Sequence, residues 1–182
     1  PPPLSAASPL VPRAHLLATM TVFLSSDACD QTTKELAVRE LKGQGSIDLL
    51  GGSARLVYAE NPGAFLGLGG DWPAEVRVPL FLGMAFLISA FLVWTLWRRR
   101  EELGFWPQLG IATLAAGAVG NLIDRLLRDG GRVVDFMQFG VGPLQTGIFN
   151  VADVFLMAAV PWLMFVSFRH GRTERQGARE TS

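Results

Sequence analysis

The chain has little of the chemistry on which many hydrolases depend. Its 182 residues include one cysteine, Cys29, and two histidines, His15 and His170. A single cysteine excludes an intramolecular disulfide, and the lack of an H-E-x-x-H motif or a cysteine cluster argues against a zinc hydrolase. The sequence also lacks a G-x-S-x-G elbow, a Walker-type phosphate loop and a serine placed beside Lys34. Acidic residues therefore remain as the candidates for catalysis.

The chain also lacks an excess of charge of either sign. Its 16 basic residues balance its 16 acidic ones, and no basic tract is typical of a nucleic-acid binding surface, so nucleic acid is not an expected partner. What is abundant is apolar: 49% of the residues are hydrophobic, and they are clustered in long segments. The expected partner is therefore the membrane.

Four apolar segments predict four transmembrane helices. The clearest, 78–97, has no charged residue and as a helix would cover roughly 30 Å, the thickness of a hydrocarbon core. The others are about 105–125, 148–168 and 14–34. The last is the weakest because Asp30 and Lys34 lie in its far end; their spacing predicts an i,i+4 ion pair, with the Lys34 ammonium lifted towards the membrane surface.

A rival interpretation treats residues 1–28 as a cleavable lipoprotein signal and Cys29 as the modified residue. Asp27 puts a charge where such a signal has a small or apolar side chain, and three further apolar segments follow. We therefore expect one membrane-embedded domain. The predicted divisions are a disordered lead over 1–13, the domain over 14–170 and a cytoplasmic tail over 171–182.

The distribution of positive charge predicts the orientation, although the total number of lysines and arginines does not distinguish the two sides. The short connection after the second predicted span holds three adjacent arginines, 98–100, with tryptophans at 94, 97 and 106 around it. Clustered arginines mark cytoplasmic connections, and tryptophans mark membrane interfaces. Both termini are therefore predicted to be cytoplasmic, and the acidic motifs are predicted to lie at the outer face.

The segment between the first two spans, about 44–77, is predicted to form a small sheet outside the membrane. Residues 46–50 and 54–59 resemble short strands, joined by a glycine-containing turn at 51–53. The apolar stretch 64–68 follows and is predicted to dip into the membrane surface. The predicted fold is an all-α membrane protein of four transmembrane helices, with a small extracytoplasmic β-sheet between spans one and two.

Two Asn-x-x-Asp units, ending at Asp124 and Asp153, lie at the ends of apolar segments, and Asp135 lies in the link between them. Two carboxylates a few ångströms apart share a proton, so that one activates water while the other polarises a carbonyl. Asp124 is followed by Arg125, which predicts a structural ion pair or cap. Asp135 has apolar neighbours, which predict a raised pKa suited to a general acid or base.

The residues alone leave three functions open. An aspartic peptidase, a non-catalytic membrane binding or assembly protein and an ion or proton carrier all use acidic residues at membrane depth. The carrier has the least support, because spans two and three lack a chain of polar residues. Either Asp124 or Asp135 remains possible as the partner of Asp153.

Five motifs, taken together and in order, resemble the bacterial signal peptidase II family. In chain order they are Asp30-Gln-Thr-Thr-Lys34, Asn61-Pro-Gly-Ala-Phe65, Gly120-Asn-Leu-Ile-Asp-Arg125, Val133-Val-Asp-Phe136 and Phe149-Asn-Val-Ala-Asp153. They extend from the first predicted span to the fourth. One such motif would be weak, whereas five in order are specific.

The resemblance implies a four-span aspartic endopeptidase of the bacterial inner membrane, which removes a signal peptide just before a diacylglyceryl-modified cysteine. It assigns the catalytic pair to Asp135 and Asp153. The supporting polar positions that match are Asp30, Lys34, Asn61, Gly63, Asn121, Asp124, Arg125 and Asn150. It implies lipid-modified prolipoproteins and membrane lipids as partners and no metal or organic cofactor; we also expect a monomer.

The chain departs from the family pattern at three places. Only Ala64 precedes Phe65, where the family commonly has two alanines, and Val154 stands where a small polar residue is usual. The link from Asp124 to Asp135 is lengthened at 129–131. These departures bear on the geometry of the substrate loops and leave both predicted catalytic positions intact.

Overall fold

A computed structural model describes residues 13–63 and 68–180 of the chain. The predicted disordered lead, apart from Arg13, lies outside the described residues. So does most of the apolar stretch predicted to dip into the membrane, and so do the last two residues of the predicted tail.

Four helices form the main body of the described structure, and three of them pack around the fourth. They are α1 Arg13–Leu41, α2 Ala74–Arg98, α3 Phe105–Leu127 and α4 Val151–Glu180. Helix α3 contacts each of the other three. It can do so because small side chains let helix backbones approach closely; the small buried residues of α3 include Ala112, Ala115, Ala116, Gly117 and Gly120.

Three of the described helices are long and apolar enough to cross a membrane: α2, α3 and the Val151–Arg169 part of α4. They correspond to three of the four predicted spans. Their outward faces carry exposed apolar side chains such as Leu87, Phe91 and Phe165. Helix α1 is outside this set, and it runs seven residues beyond the predicted end of its span at Lys34.

Four strands form one antiparallel sheet in the order β1-β2-β3-β4. Their bounds are β1 Ile47–Leu49, β2 Ala54–Asn61, β3 Val133–Val141 and β4 Leu144–Gln145. The two strands predicted in the outer segment are β1 and β2. The predicted sheet was incomplete, because β3 and β4 come from the link between α3 and α4. Strand β3 covers an edge of β2 whose backbone groups would otherwise lack partners.

The pleat of β3 separates its core residues from its polar one. Val134 and Phe136 pack against Ala37 and Leu41 at the end of α1. Successive side chains of a strand point to opposite faces, so Asp135 points away from that core. The pairing of β3 with β2 sets Ala59 opposite Asp135. Burial of the apolar face therefore fixes the direction of the carboxylate.

Candidate active site

A cavity of about 240 Å³ is bounded by α2, α3, α4 and the sheet. Helix α2 supplies an apolar wall formed by Phe81, Met84, Ala85 and Ile88. The polar side chains that line the cavity are Asn61, Asn121, Arg125, Asp135 and Asp153. All five belong to the set of predicted site residues. An apolar chain can thus lie along one wall while a polar group faces the carboxylates.

Asp135 is the more deeply buried of the two carboxylates that line the cavity. Its side chain accepts hydrogen bonds from Asn61 Nδ2 at 3.0 Å and from Asn150 Nδ2 at 2.7 Å, and the residue is only 2% exposed. Burial, followed by the negative charge of Asp153, raises the pKa of Asp135 from 3.8 to about 7. The direction agrees with the prediction from its apolar neighbours. Asp135 can therefore carry a proton near neutral pH, where an ordinary aspartate is ionised.

Asp153 lies in the first turn of α4 and is held by a reciprocal cap. Asn150 Oδ1 accepts the backbone N–H of Asp153 at 3.0 Å, and Asp153 Oδ2 accepts the backbone N–H of Asn150 at 3.4 Å. This is the capping-box arrangement, with Asn150 as N-cap. The predicted span from 148 thus began too early, since the helix starts at Val151. The other oxygen, Oδ1, accepts Asn121 Nδ2 at 3.0 Å.

Asn150 joins the two carboxylates. Its side-chain amide donates to Asp135, and its main-chain N–H donates to Asp153. The same amide lies 3.1 Å from Asn121 Oδ1. One fully buried residue therefore contacts both predicted catalytic residues and one supporting residue.

Asp124 has a different environment from Asp135. It is 1% exposed, lies outside the lining of the cavity and forms ion pairs with Lys34 at 3.4 Å and Arg128 at 3.2 Å. The predicted structural role agrees with these contacts, but the predicted partner, Arg125, was wrong. Residues i and i+1 of a helix do not face each other, whereas i and i+4 do. The ion-pair partner on α3 is therefore Arg128.

Arg125 instead holds the turn that follows β2. Its guanidinium donates to the carbonyl of Asn121 at 3.1 Å and to the carbonyl of Gly63 at 2.8 Å. The backbone N–H of Gly63 in turn donates to Asn61 Oδ1 at 2.9 Å. Arg125 thereby fixes the turn from which Asn61 reaches Asp135.

Lys34 and Asp30 form the predicted i,i+4 ion pair, with 2.7 Å between Nζ and Oδ2. The prediction that the ammonium is lifted to the membrane surface was wrong, because Lys34 is 0% exposed. A buried ammonium needs partners for its donors. Besides Asp30, Asn121 Oδ1 accepts from Lys34 at 3.0 Å, and Asp124 lies nearby.

Sequence analysis missed two parts of the site. Arg128 was not among the predicted site residues, although its spacing of four from Asp124 was a signal for the pair. The apolar wall was also missed. Phe81, Met84 and Ile88 recur at helical spacing, but in a wholly apolar helix that spacing does not distinguish a cavity from lipid.

Known proteins are similar to this chain in sequence. The family described as Signal peptidase (SPase) II matches residues 22–169. A lipoprotein signal peptidase of Desulforapulum autotrophicum is 39% identical over 126 residues, which cover 69% of this chain and 76% of that protein. A lipoprotein signal peptidase of Syntrophotalea carbinolica is 34% identical over 158 residues, which cover 86% of this chain and 91% of that protein.

The fold is shared with two solved structures of bacterial membrane enzymes. One has a TM-score of 0.68 at 24% identity and covers 84% of this chain and 88% of its own. The other has a TM-score of 0.66 at 24% identity and covers 82% of this chain and 91% of its own. At this identity the likeness concerns the fold. Since the family match extends over most of the sequence, the chain belongs to the signal peptidase II family.

Proposed function

We propose that this chain is an aspartic endopeptidase that removes the signal peptide from lipid-modified prolipoproteins, cutting before the lipidated cysteine, with Asp135 and Asp153 as its catalytic dyad. Its relatives carry the name lipoprotein signal peptidase. The observation that supports the dyad is the meeting of two buried carboxylates in one cavity, both hydrogen-bonded to Asn150. Such pairs share a proton and activate water.

The two carboxylates take complementary parts in the reaction. Asp135 holds the proton, since its pKa is about 7, and donates a hydrogen bond to the scissile carbonyl oxygen. Ionised Asp153 removes a proton from a water molecule as the water oxygen attacks the carbonyl carbon. The tetrahedral intermediate then collapses, the carbon–nitrogen bond breaks, and Asp153 passes its proton to the leaving amine. Asp135 keeps its proton throughout, and its hydrogen bond stabilises the negative charge on the carbonyl oxygen in the intermediate.

Repulsion between the two carboxylates supports a single shared proton. The negative charge of Asp153 is among the causes that raise the pKa of Asp135. Two carboxylates that share one buried site therefore favour the state in which only one of them is ionised.

We infer that α1 is a fourth span in the bacterial inner membrane. Its charged pair, Asp30 and Lys34, is fully buried inside the bundle, whereas Leu17, Met20 and Leu24 are exposed on its surface. An apolar outer face with paired charges inside is what a membrane helix requires. With arginines 98–100 on the cytoplasmic side, the dyad lies near the outer face and both termini lie inside.

Replacement of either dyad residue by asparagine tests the proposal. Asp135→Asn and Asp153→Asn should each lower cleavage of a lipidated prolipoprotein by roughly 1000-fold or more, because asparagine neither accepts the proton from water nor shares one. Cleavage by the purified protein in detergent can be followed by the size of the product. Asp48→Asn, at an exposed surface ion pair, is the matched control and should retain activity.

Asp124→Asn distinguishes the two possible partners of Asp153. Asp124 is enclosed by cations outside the lining of the cavity, so its loss should leave a measurable rate that Asp135→Asn lacks. Substantial cleavage by both Asp135→Asn and Asp153→Asn would overturn the dyad. Activity lost only in Asp124→Asn and Asp153→Asn would assign the dyad to that pair instead.

A further inference from the structure

Lys34 is the centre of a charged cluster behind the dyad. Its Nζ lies 2.7 Å from Asp30 Oδ2, 3.4 Å from Asp124 Oδ2 and 3.0 Å from Asn121 Oδ1. The side chains of Lys34, Asp30 and Asp124 are at most 1% exposed. None of these three lines the cavity. The cluster therefore lies outside the cavity that holds the dyad.

Each carboxylate of this cluster also binds the main chain one residue before a dyad aspartate. Asp30 Oδ1 accepts the backbone N–H of Ala152 at 2.8 Å, and Ala152 precedes Asp153. Asp124 Oδ2 accepts the backbone N–H of Val134 at 2.9 Å, and Val134 precedes Asp135. One ammonium thus holds two carboxylates, and each carboxylate holds the backbone of one dyad residue.

A third connection sets the direction of the Asn121 side chain. Its Oδ1 accepts hydrogen bonds from Lys34 at 3.0 Å and from Asn150 at 3.1 Å. Because the oxygen faces these donors, the Nδ2 end faces Asp153, to which it donates at 3.0 Å. Lys34 therefore also selects the orientation in which this amide binds the dyad.

We propose that Lys34, Asp30 and Asp124 form a positioning hub, the Lys34 hub, which sets the separation and orientation of Asp135 and Asp153. The inference rests on the proposed function of those two residues. The hub ties α1 and α3 to the start of β3 and the start of α4. Helix α1 is far from the other three in sequence, and loops separate those three, so hydrogen bonds within each element do not fix their relative positions.

Charged hydrogen bonds suit this task. They are shorter and stronger than neutral ones, and they gain further strength in a dry interior. Ala152 N–H is also one of the first helical N–H groups of α4, which lack partners within the helix and favour a negative charge. A displacement of about 1 Å at a reacting group can cost roughly 100-fold in rate.

A purely structural role makes a different prediction. Replacing a buried ion pair by uncharged residues of similar volume is often neutral or stabilising, so stability and activity can be separated. The variant Lys34→Met/Asp30→Asn removes one charge of each sign and leaves the Asp124–Arg128 pair in place. We expect kcat to fall roughly 100-fold and KM to change less than about 3-fold, with the unfolding temperature little changed.

The matched control lies on the same helix with the same spacing. Glu35 and Arg39 are an i,i+4 pair at 3.3 Å, with side chains 53% and 68% exposed. The variant Glu35→Gln/Arg39→Met should leave both kcat and KM at wild-type values. Both variants are measured as full-length protein in detergent with the same lipidated prolipoprotein.

A second comparison tests the hydrogen bond from Ala152 N–H to Asp30, which connects the hub to α4. In the Lys34→Met background, Asp30→Asn keeps an oxygen that can accept Ala152 N–H, whereas Asp30→Leu has none. The hub predicts that the leucine variant is the slower of the two at equal KM. If these variants do not fold, Asp124→Leu/Arg128→Met takes their place and is also balanced in charge. It removes the hydrogen bond from Val134 N–H to Asp124 and should again lower kcat roughly 100-fold.

The outcomes separate the hub from the dyad. The hub is overturned if folded Lys34→Met/Asp30→Asn keeps kcat within about 3-fold of wild type while Asp135→Asn and Asp153→Asn are inactive. It is also overturned if the asparagine and leucine versions have equal kcat. Cleavage by the two dyad variants would instead refute the proposed function, whatever the hub variants do.

Discussion

Asp124 and Asp135 are chemically identical residues with different surroundings. Two cations approach Asp124, whereas Asp135 accepts hydrogen bonds from two neutral amides and lies beside Asp153. Burial and a neighbouring carboxylate favour the protonated form of a carboxyl group. At the scale of the residue, the surroundings of Asp135 are what raise its pKa.

This difference predicts how stability responds to pH. The pKa of Asp135 is about 7 in the folded protein, against an ordinary value of 3.8. The folded state therefore binds this proton more tightly than the unfolded state, and the contribution of Asp135 to stability falls as the pH rises from about 4 to about 7. Asp135→Asn removes that loss. We therefore compare the unfolding temperature of the variant minus that of wild type at the two pH values. This difference should be larger at pH 8 than at pH 5 by at least roughly 2–4 °C.

Thermal unfolding in detergent at the two pH values measures the effect. Asp48→Asn, at an exposed ion pair with Arg55, serves as the control and should show no comparable dependence on pH. An Asp135→Asn difference that is the same at pH 5 and pH 8 would contradict the raised pKa.

At the scale of the element, the spacing of α3 and α4 is set by glycine. A Cβ atom at Gly117 would lie 2.6 Å from the carbonyl oxygen of Ala152 and 2.9 Å from Leu156 Cγ. Gly117 is one helical turn before Asn121, which donates to Asp153 on α4. The close approach of the two helices therefore brings this hydrogen bond within range.

Gly117→Ala should separate the two helices and weaken the site. Overpacking of this kind costs about 1–3 kcal/mol of stability, and a displacement of Asp153 should lower cleavage by roughly 10- to 100-fold. Gly83→Ala on α2 is the matched control, because no atom lies within 4 Å of its added Cβ. Unfolding temperature and kcat report the two effects. Equal stability and activity in the two variants would show that this contact does not set the site.

At the scale of the whole molecule, the usual distribution of polarity is reversed. The fully buried side chains include Asp30, Lys34 and Asn150, whereas Leu17, Leu87 and other large apolar side chains lie on the outside. In water, so large an exposed apolar surface marks an interaction site. A lipid bilayer around the helices covers this surface and leaves the charged network inside the bundle.

Cysteine labelling tests the proposed orientation, because Cys29 is the only native cysteine. In a Cys29→Ser background, Gly45→Cys probes the segment before β1, and Glu101→Cys probes the connection between α2 and α3. Arg13→Cys probes the start of α1, and all three positions are exposed. A membrane-impermeant maleimide applied to spheroplasts should label only position 45, with the other two labelled after lysis.

Each alternative topology gives a different pattern. Labelling of positions 13 and 101 without lysis, but not of position 45, would reverse the orientation. Labelling of positions 13 and 45 together would mean that α1 does not cross the membrane. Labelling of positions 45 and 101 together would mean the same for α2.

Local sequence signals were sufficient to predict much of the fold and to identify the polar residues that line the cavity. Apolar length predicted α2, α3 and most of α4, and the five ordered motifs selected the polar residues that the structure brings together. The strand β3 was missed, although valine and phenylalanine are frequent in 133–141 and glycines lie near both of its ends. The start of α4 was also predicted too early. Asn150 ends the preceding loop because its side chain accepts the backbone N–H of Asp153, and apolar length does not reveal such a cap.

Hydrophobic length and residue type are local properties, and they were enough to identify this chain as a membrane protein with an acidic site. The contacts within that site depend on tertiary packing. It buried Lys34 between Asp30 and Asp124, gave Asp124 to Arg128, and turned Asp135 away from the core beside Asp153. These contacts join residues on α1, α3, α4 and β3, and their geometry depends on how the elements pack, which no local pattern encodes.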